Sequence, residues 1–320
     1  MLSQLARKSW CLLVLPMVVL LAVLGYRAGA GLHGPVSTGL ESAVVSAVGA
    51  AALSAADTRA TQAPDRPLAN AVGPGLPLDL RAAFEDGRDL YAYAHLLRGA
   101  ADAGNAEAGW IVSRIYDYCG VYAMDPQGFA LDSAVLGGMD RGAGTRLQAA
   151  RARVQASCRG FSARDGIGRE AVLQQRKASA KAGNLAAEAA LLSMGEPLSS
   201  EMDYRRGLAR RVMDSQDPEA FLAIAGAMGA SAAGDDAYRG MIAGSQFTQL
   251  AWQVAACRLG MDCGPRSALM NAYCANAGIC SRDAGQDFES FVYDAAVPGQ
   301  SVEKMNELVD GLRAVRGGKR

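Results

Sequence analysis

The chain has 320 residues, 32 Lys or Arg against 32 Asp or Glu, and a formal net charge of zero; half of it is hydrophobic and only 6% aromatic. Balanced charge gives no global field toward a polyanion, and no basic cluster with interleaved aromatic rings occurs, so nucleic acid is excluded as a partner. Much of the hydrophobic half is Ala, and alternating β-branched runs are scarce, which reads as an all-α chain with room for a sizeable core.

From the N-terminus, Arg7 and Lys8 precede an uncharged run over residues 10–26, WCLLVLPMVVLLAVLGY, closed by Arg27. A basic flank before an apolar run is the layout of a signal sequence or signal anchor, here residues 1–30. As a helix the run would span about 25 Å at 1.5 Å per residue, slightly short of a hydrocarbon core, and Pro16 weakens it. Ala28-Gly29-Ala30 offers a small-x-small cleavage site, but Arg27 stands beside it, so a cleaved leader and an uncleaved membrane anchor both remain open. Cys11 lies inside the run after Trp10 and does not resemble a lipid-acylation site.

Residues 31–76 are a low-complexity linker of Ala, Gly, Ser, Thr and Pro with too few large apolar groups to fold alone. A small Ala/Val helix is expected over residues 40–53. As a random coil the linker would hold the following domain roughly 35–40 Å from a membrane.

The folded domain is expected over residues 77–316. Asp125-Pro126 and Asp217-Pro218 each place a capping carboxylate before a proline suited to the first helical position. Ser200 with Glu201, and the pair Asp235 and Asp236, suggest further starts, while Gly87, Gly104, Gly183, Gly260 and Gly278 read as stops. About a dozen helices of roughly 9–17 residues follow, and no segment reads as a strand.

One pattern is more specific. In GAADAGNAEAGWIVSRIYDYCG, small Ala101 and Ala108 permit close helix approach, Gly104 can end one helix in the left-handed conformation, and Asn105 can cap the next. Val112 and Tyr116 continue the face of Ala108 at i+4 steps. The pattern returns in KASAKAGNLAAEAALL, with Ser179, Ala180, Gly183, Asn184, Ala187 and Leu191 in the corresponding places. The two glycines are 79 residues apart, which suits two repeats of about 40 residues. On these residues the chain resembles the Sel-one-like family, short relatives of the tetratricopeptide repeat, over residues 90–120 and 172–195. The second block has Gly195 where the first has its tyrosine, and a possible third, Gln216-Asp217-Pro218-Glu219-Ala220, lacks the turn glycine. The resemblance implies an irregular, solenoid-like stack of αα-hairpins acting as a scaffold or adaptor, commonly exported and without catalytic residues.

Apart from Cys11, six cysteines remain, an even number that favours disulfides in an exported chain. Four form a block over residues 257–280. A helix starting at Gly264-Pro265 and running to about residue 275 would hold Cys263 and Cys274 about 16 Å apart along its axis. The expected bonds are therefore Cys257 with Cys263 and Cys274 with Cys280, each sealing a helix-end loop, and Cys119 with Cys158 linking two helix C-termini. A zinc tetrathiolate is the rival; its five-residue gaps are wrong for ribbons or fingers, and an oxidising compartment disfavours thiolates, so no metal is expected.

Catalytic signatures are weak. His95 has no evident partner and His33 lies in the linker, so neither reads as a general base. Ser301 and Lys304 match a serine-lysine spacing without its companion motifs, and Ser301 is better placed as a helix cap. Gly226, Gly229 and Gly234 follow no strand and read as packing or turn residues, not a nucleotide loop. Glu85, Asp86 and Asp89 read as a solvated helix face. Tyr91, Tyr93, Trp110, Tyr118 and Tyr122, with Tyr116, make the one aromatic-rich region and are the expected binding surface.

Together these point to a periplasmic or extracellular helical-repeat protein, tethered to the inner membrane if residues 10–26 are retained. It is expected to bind a protein or cell-envelope component without cofactor or catalysis. The alternative is an envelope-polymer hydrolase whose Asp/Glu pair meets only in three dimensions.

Overall fold

The computed structural model describes residues 79–314, except Arg88, Asp140 and Arg141. The expected leader, linker and helix over residues 40–53 lie outside the described residues. Within them the chain is all-helical, with thirteen α-helices and no strand. No helix among the described residues is long and apolar enough to cross a membrane.

Asp79 and Asp89 accept N–H bonds that start the short helix α1 (Leu80–Glu85) and α2 (Leu90–Asp102). Helix α2 turns into α3 (Ala106–Met124), and α4 (Pro126–Met139) with α5 (Ala143–Cys158) forms a second antiparallel pair. Then come α6 (Arg169–Lys181), α7 (Leu185–Ser193), α8 (Met202–Ser215) and α9 (Pro218–Ile224). The C-terminal part holds α10 (Gln246–Arg258), α11 (Ala268–Ala277), α12 (Phe288–Ala296) and α13 (Val302–Arg313).

These helices pack in a continuous row: α2 on α3, α3 on α6, α6 on α7, α7 on α9, α9 on α10 and α10 on α13. The α4/α5 pair stands beside the row, where α5 touches both α3 and α11. Trp252, Phe221, Phe288, Ile111 and Leu208 are among the fully buried side chains of the core.

Close approach sets the firmest of these contacts. A Cβ at Gly109 in α3 would lie 3.3 Å from the Cβ of Ser179 in α6, and the Ser179 hydroxyl donates to the Ala106 carbonyl at 2.6 Å. Glycine inside a helix costs about 0.5–1 kcal/mol relative to Ala; here it admits the neighbouring helix.

The two predicted hairpin turns share one geometry. Gly104 and Gly183 take φ of +91° and +98°, and their N–H groups donate to the carbonyls of Ala101 and Ala180. The Asn105 and Asn184 side chains then accept from the N–H groups of Ala108 and Ala187 at 2.9 and 2.8 Å. Ala108, Tyr116, Ala180 and Ala187 are buried. The turn before α9 shares only the left-handed residue and the cap: Gln216 takes φ of +51° and Asp217 caps the following helix, but the Asp217 N–H donates to the Ser215 hydroxyl at 3.1 Å instead of to a backbone carbonyl.

Three disulfides pair Cys119 with Cys158, Cys257 with Cys263 and Cys274 with Cys280, at Cα separations of 5.5, 5.6 and 4.3 Å. Two details differ from expectation. Cys119 lies inside α3, which continues to Met124 before Asp125 ends it, so this bond ties the flank of one helix to the end of another. Helix α11 begins at Ala268, not at Gly264-Pro265, because Ser267 accepts the Met270 N–H and the preceding four residues close a turn.

Candidate functional site

Helix α1 is only six residues long, yet it is the point around which the charged chemistry of the domain collects. Arg81 pairs with Glu107 at 2.6 Å and with Asp217 at 2.7 Å. Glu107 in turn accepts from the Asn184 amide at 2.8 Å, so α1, α3 and the caps of α7 and α9 share one network. Burial alone would lower the Arg81 pKa, but hydrogen bonds to Asp217 and Glu107 hold it above the ordinary guanidinium value.

One turn further along α1, Glu85 meets Arg114 of α3 at 3.2 Å, and Arg114 meets Glu219 of α9 at 2.6 Å. Every oxygen of the two glutamates is taken. Glu85 Oε2 accepts the Ala268 N–H at 2.7 Å, and Glu219 Oε2 accepts from Trp110 Nε1 at 3.3 Å. The Arg114 guanidinium also stacks over the Phe84 ring at 4.2 Å. Burial pushes the Glu85 carboxyl above its ordinary pKa, against the pull of Arg114 and the Ala268 N–H.

The solvated-face reading of the early carboxylates therefore needs correction. Asp89 is a helix cap and Glu85 is nearly buried, with 9% of its side chain exposed; only Asp86 is exposed. Glu85 has its partners 29 and 183 residues away, a separation that no local pattern records.

Three cavities surround α1. One, about 460 Å³, lies between α1, α3, α5 and the start of α11. A groove of about 360 Å³ crosses α3, α6, α7, α9 and α11, with Trp110, Tyr118, Met194, Leu222 and Leu269 in its walls. A third, about 280 Å³, is bordered by Arg81, Glu85, Glu219 and Asp262. In the groove, Arg176 pairs with Asp117 at 2.8 Å and donates to the Met194 sulfur at 2.8 Å.

The aromatic cluster divides. Tyr93 and Tyr122 are core residues, the first donating to the Leu80 carbonyl at 3.0 Å and the second packing edge-on against Phe129, so they form no solvent-facing surface. Tyr116 is buried with them, and Tyr91 packs against Phe161 and His95. Trp110 and Tyr118 of this set line cavities. A run of tyrosines on consecutive helices signals burial as readily as binding, since the rings supply core area and their hydroxyls find partners.

His95 is exposed, its ring packed against Tyr91. Ser301 does precede α13 but its hydroxyl makes no cap bond, and Lys304 pairs with Glu307. Gly226 lies against Ser193 and Gly229 against Gln249, in keeping with packing roles.

No family model, curated protein or solved structure matches the chain. The resemblance to Sel-one-like repeats thus rests on the two turn motifs.

Proposed function

We propose that this domain is a non-enzymatic adaptor built on αα-hairpin repeats, working outside the cytoplasm and taking an extended segment of a partner protein in the groove across α3, α6, α7, α9 and α11. The groove itself carries the reading. It runs over helices of successive hairpins, has apolar walls from Met194, Leu222 and Leu269, and its charged members Arg114, Glu219, Arg176 and Asp117 are all paired with one another or with Glu85. Paired charges of this kind orient and select a ligand.

The repeat reading draws support from the shared geometry of the turns at Gly104 and Gly183. Three disulfides agree with an oxidising compartment. Residues 1–30 would deliver the domain there, and the linker would hold it near the membrane if they are retained.

A photo-reactive phenylalanine analogue at Leu222 tests the proposal. In the native envelope it should give a discrete crosslinked product, lost when Leu269→Arg is added; the same analogue at exposed Leu131 on α4 should give none. Equal products from both positions, or none from Leu222, would defeat it.

The hydrolase alternative draws on Glu85 and Glu219, which border one cavity and of which Glu85 has a raised pKa. Their four oxygens are already occupied, which weighs against it. Release of sugar or peptide fragments from purified envelope polymer, abolished by Glu219→Gln, would restore this reading.

A further inference from the structure

The cavity of about 460 Å³ between α1, α3, α5 and the start of α11 plays no part in the adaptor reading, and its polar lining is lopsided toward donors. Arg153 of α5 and Arg266, just before α11, both line it, and neither has a carboxylate partner among the described residues. Arg153 is steered from inside. Its Nε donates at 2.9 Å to Oδ1 of Asn271, a side chain only 2% exposed. The Asn271 amide donates at 2.6 Å to the Tyr118 hydroxyl oxygen.

That arrangement spends the acceptors and leaves donors over. Asn271 occupies Arg153 through Nε, so the two terminal nitrogens of the guanidinium remain, and Tyr118 accepts through its oxygen, so its own O–H proton remains. Ser157 on the same wall has a hydroxyl with no bond among the described residues. The acidic residues at the rim do not neutralise this excess: Glu85 is held by Arg114 and the Ala268 N–H, and Asp86 is engaged as well. Phe84 and Leu90 of the first two helices, with Ala156 of α5, supply the cavity's apolar lining.

We propose that this cavity binds a small organic carboxylate, its oxygens received by Arg153, Tyr118 and Arg266 and its apolar body laid against Phe84 and Leu90. A guanidinium offering two parallel N–H groups matches a carboxylate in the plane, and about 460 Å³ lies within the range of small-molecule sites. The apolar wall favours an organic acid over inorganic phosphate, which would leave Phe84 and Leu90 uncovered.

Calorimetric titration of the full chain with N-acetylleucine, N-acetylleucinamide and inorganic phosphate tests this. The acid should bind saturably, with the neutral amide and the phosphate each weaker by about tenfold or more, as loss of one charge-assisted bond requires. Arg153→Ala with Arg266→Ala should abolish binding of the acid while the melting temperature stays within a few degrees of the parent. Arg153→Lys, which keeps the charge but not the planar fork, should weaken it without abolishing it. Equal binding of acid and amide, phosphate binding better than the acid, an unaffected double variant, or no saturable heat with any probe would overturn the assignment.

Discussion

Two regions of this domain are fastened by different physics. The hairpin row from α2 to α9 has no covalent crosslink of its own; it is drawn together by Gly109 against Ser179, by repeated turn caps and by the Glu85–Arg114–Glu219 chain. The α4/α5 pair and the loops flanking α11 are stapled instead, by Cys119–Cys158, Cys257–Cys263 and Cys274–Cys280. The contrast follows from what each region has available. Helices that meet along their length over small residues gain enough contact to hold without a bond, whereas α4 leaves Leu131 and Val135 about two-thirds exposed. Covalent links do their work where packing is thin.

The sharpest way to break the non-covalent region is Arg114→Met. It leaves Glu85 and Glu219 buried without a counter-charge, and the cost should be about 3–5 kcal/mol in chemical denaturation. Glu85→Gln, Arg114→Met and Glu219→Gln together should recover a large part of that loss, because no uncompensated charge then stays inside. A triple variant as unstable as the single would mean that the Arg114 contacts with Phe84 and Trp110's neighbour Glu219 matter through shape and not charge.

In the stapled region, loop length sets the order. Cys119 and Cys158 are 39 residues apart and each of the other pairs 6 apart. In the chain-entropy model the long bridge contributes about 4 kcal/mol and each short one about 2 kcal/mol. Paired Cys→Ala variants should therefore rank in that order by denaturant midpoint. The Cys119 and Cys158 sulfurs are fully buried, so their removal also opens a small cavity and widens the gap. A short-loop pair that costs more than Cys119–Cys158 would overturn the ordering by loop length.

These two regions were also unequally legible. The staples were readable because the cysteine spacing and helix ends are local: Cys257 closes α10, and Cys274 with Cys280 brackets the end of α11. The hairpin turns at Gly104 and Gly183 were readable for the same reason, since one residue must turn left-handed and the next must cap. The ionic core was not. Glu85, Arg114 and Glu219 are separated by 29 and 105 residues, and each alone is an ordinary charged residue on a helix. Gly109 left a faint trace, a glycine in the middle of a helix that propensity would remove, and its reason lies 70 residues away at Ser179. The tyrosines misled because burial and binding select the same side chain.

A smaller effect tests the left-handed residue that the three turns share. Gly104→Ala and Gly183→Ala should each cost about 1–2 kcal/mol, the strain of a left-handed residue with a side chain. Gln216 bears that strain already, with its side-chain amide donating to the Met213 and Leu312 carbonyls at 2.6 and 3.2 Å. Gln216→Gly should thus change stability by no more than about 0.5 kcal/mol, relief of strain offsetting the lost bonds. A stabilisation well beyond that would show the amide bonds to be idle.

The smallest expected effect comes from the surface counterpart of the buried ion chain. Asp235 pairs with Arg205 and accepts the Ala237 N–H, and these hydrogen bonds, the Arg205 bond foremost, hold its pKa below the ordinary carboxylate value. A depressed folded pKa means the contribution is whole above the unfolded value, near pH 4, and drains away as pH falls through the folded one. Asp235→Asn keeps a capping oxygen for Ala237 but removes the charge. Its stability should fall short of the parent by about 1 kcal/mol or less at pH 7 and converge with it in strong acid. Because the pair is partly exposed, added salt should shrink the gap at pH 7, while the Arg114→Met deficit, set by burial, should barely respond. If both deficits respond to salt alike, the distinction between a buried ionic core and a solvated rim fails.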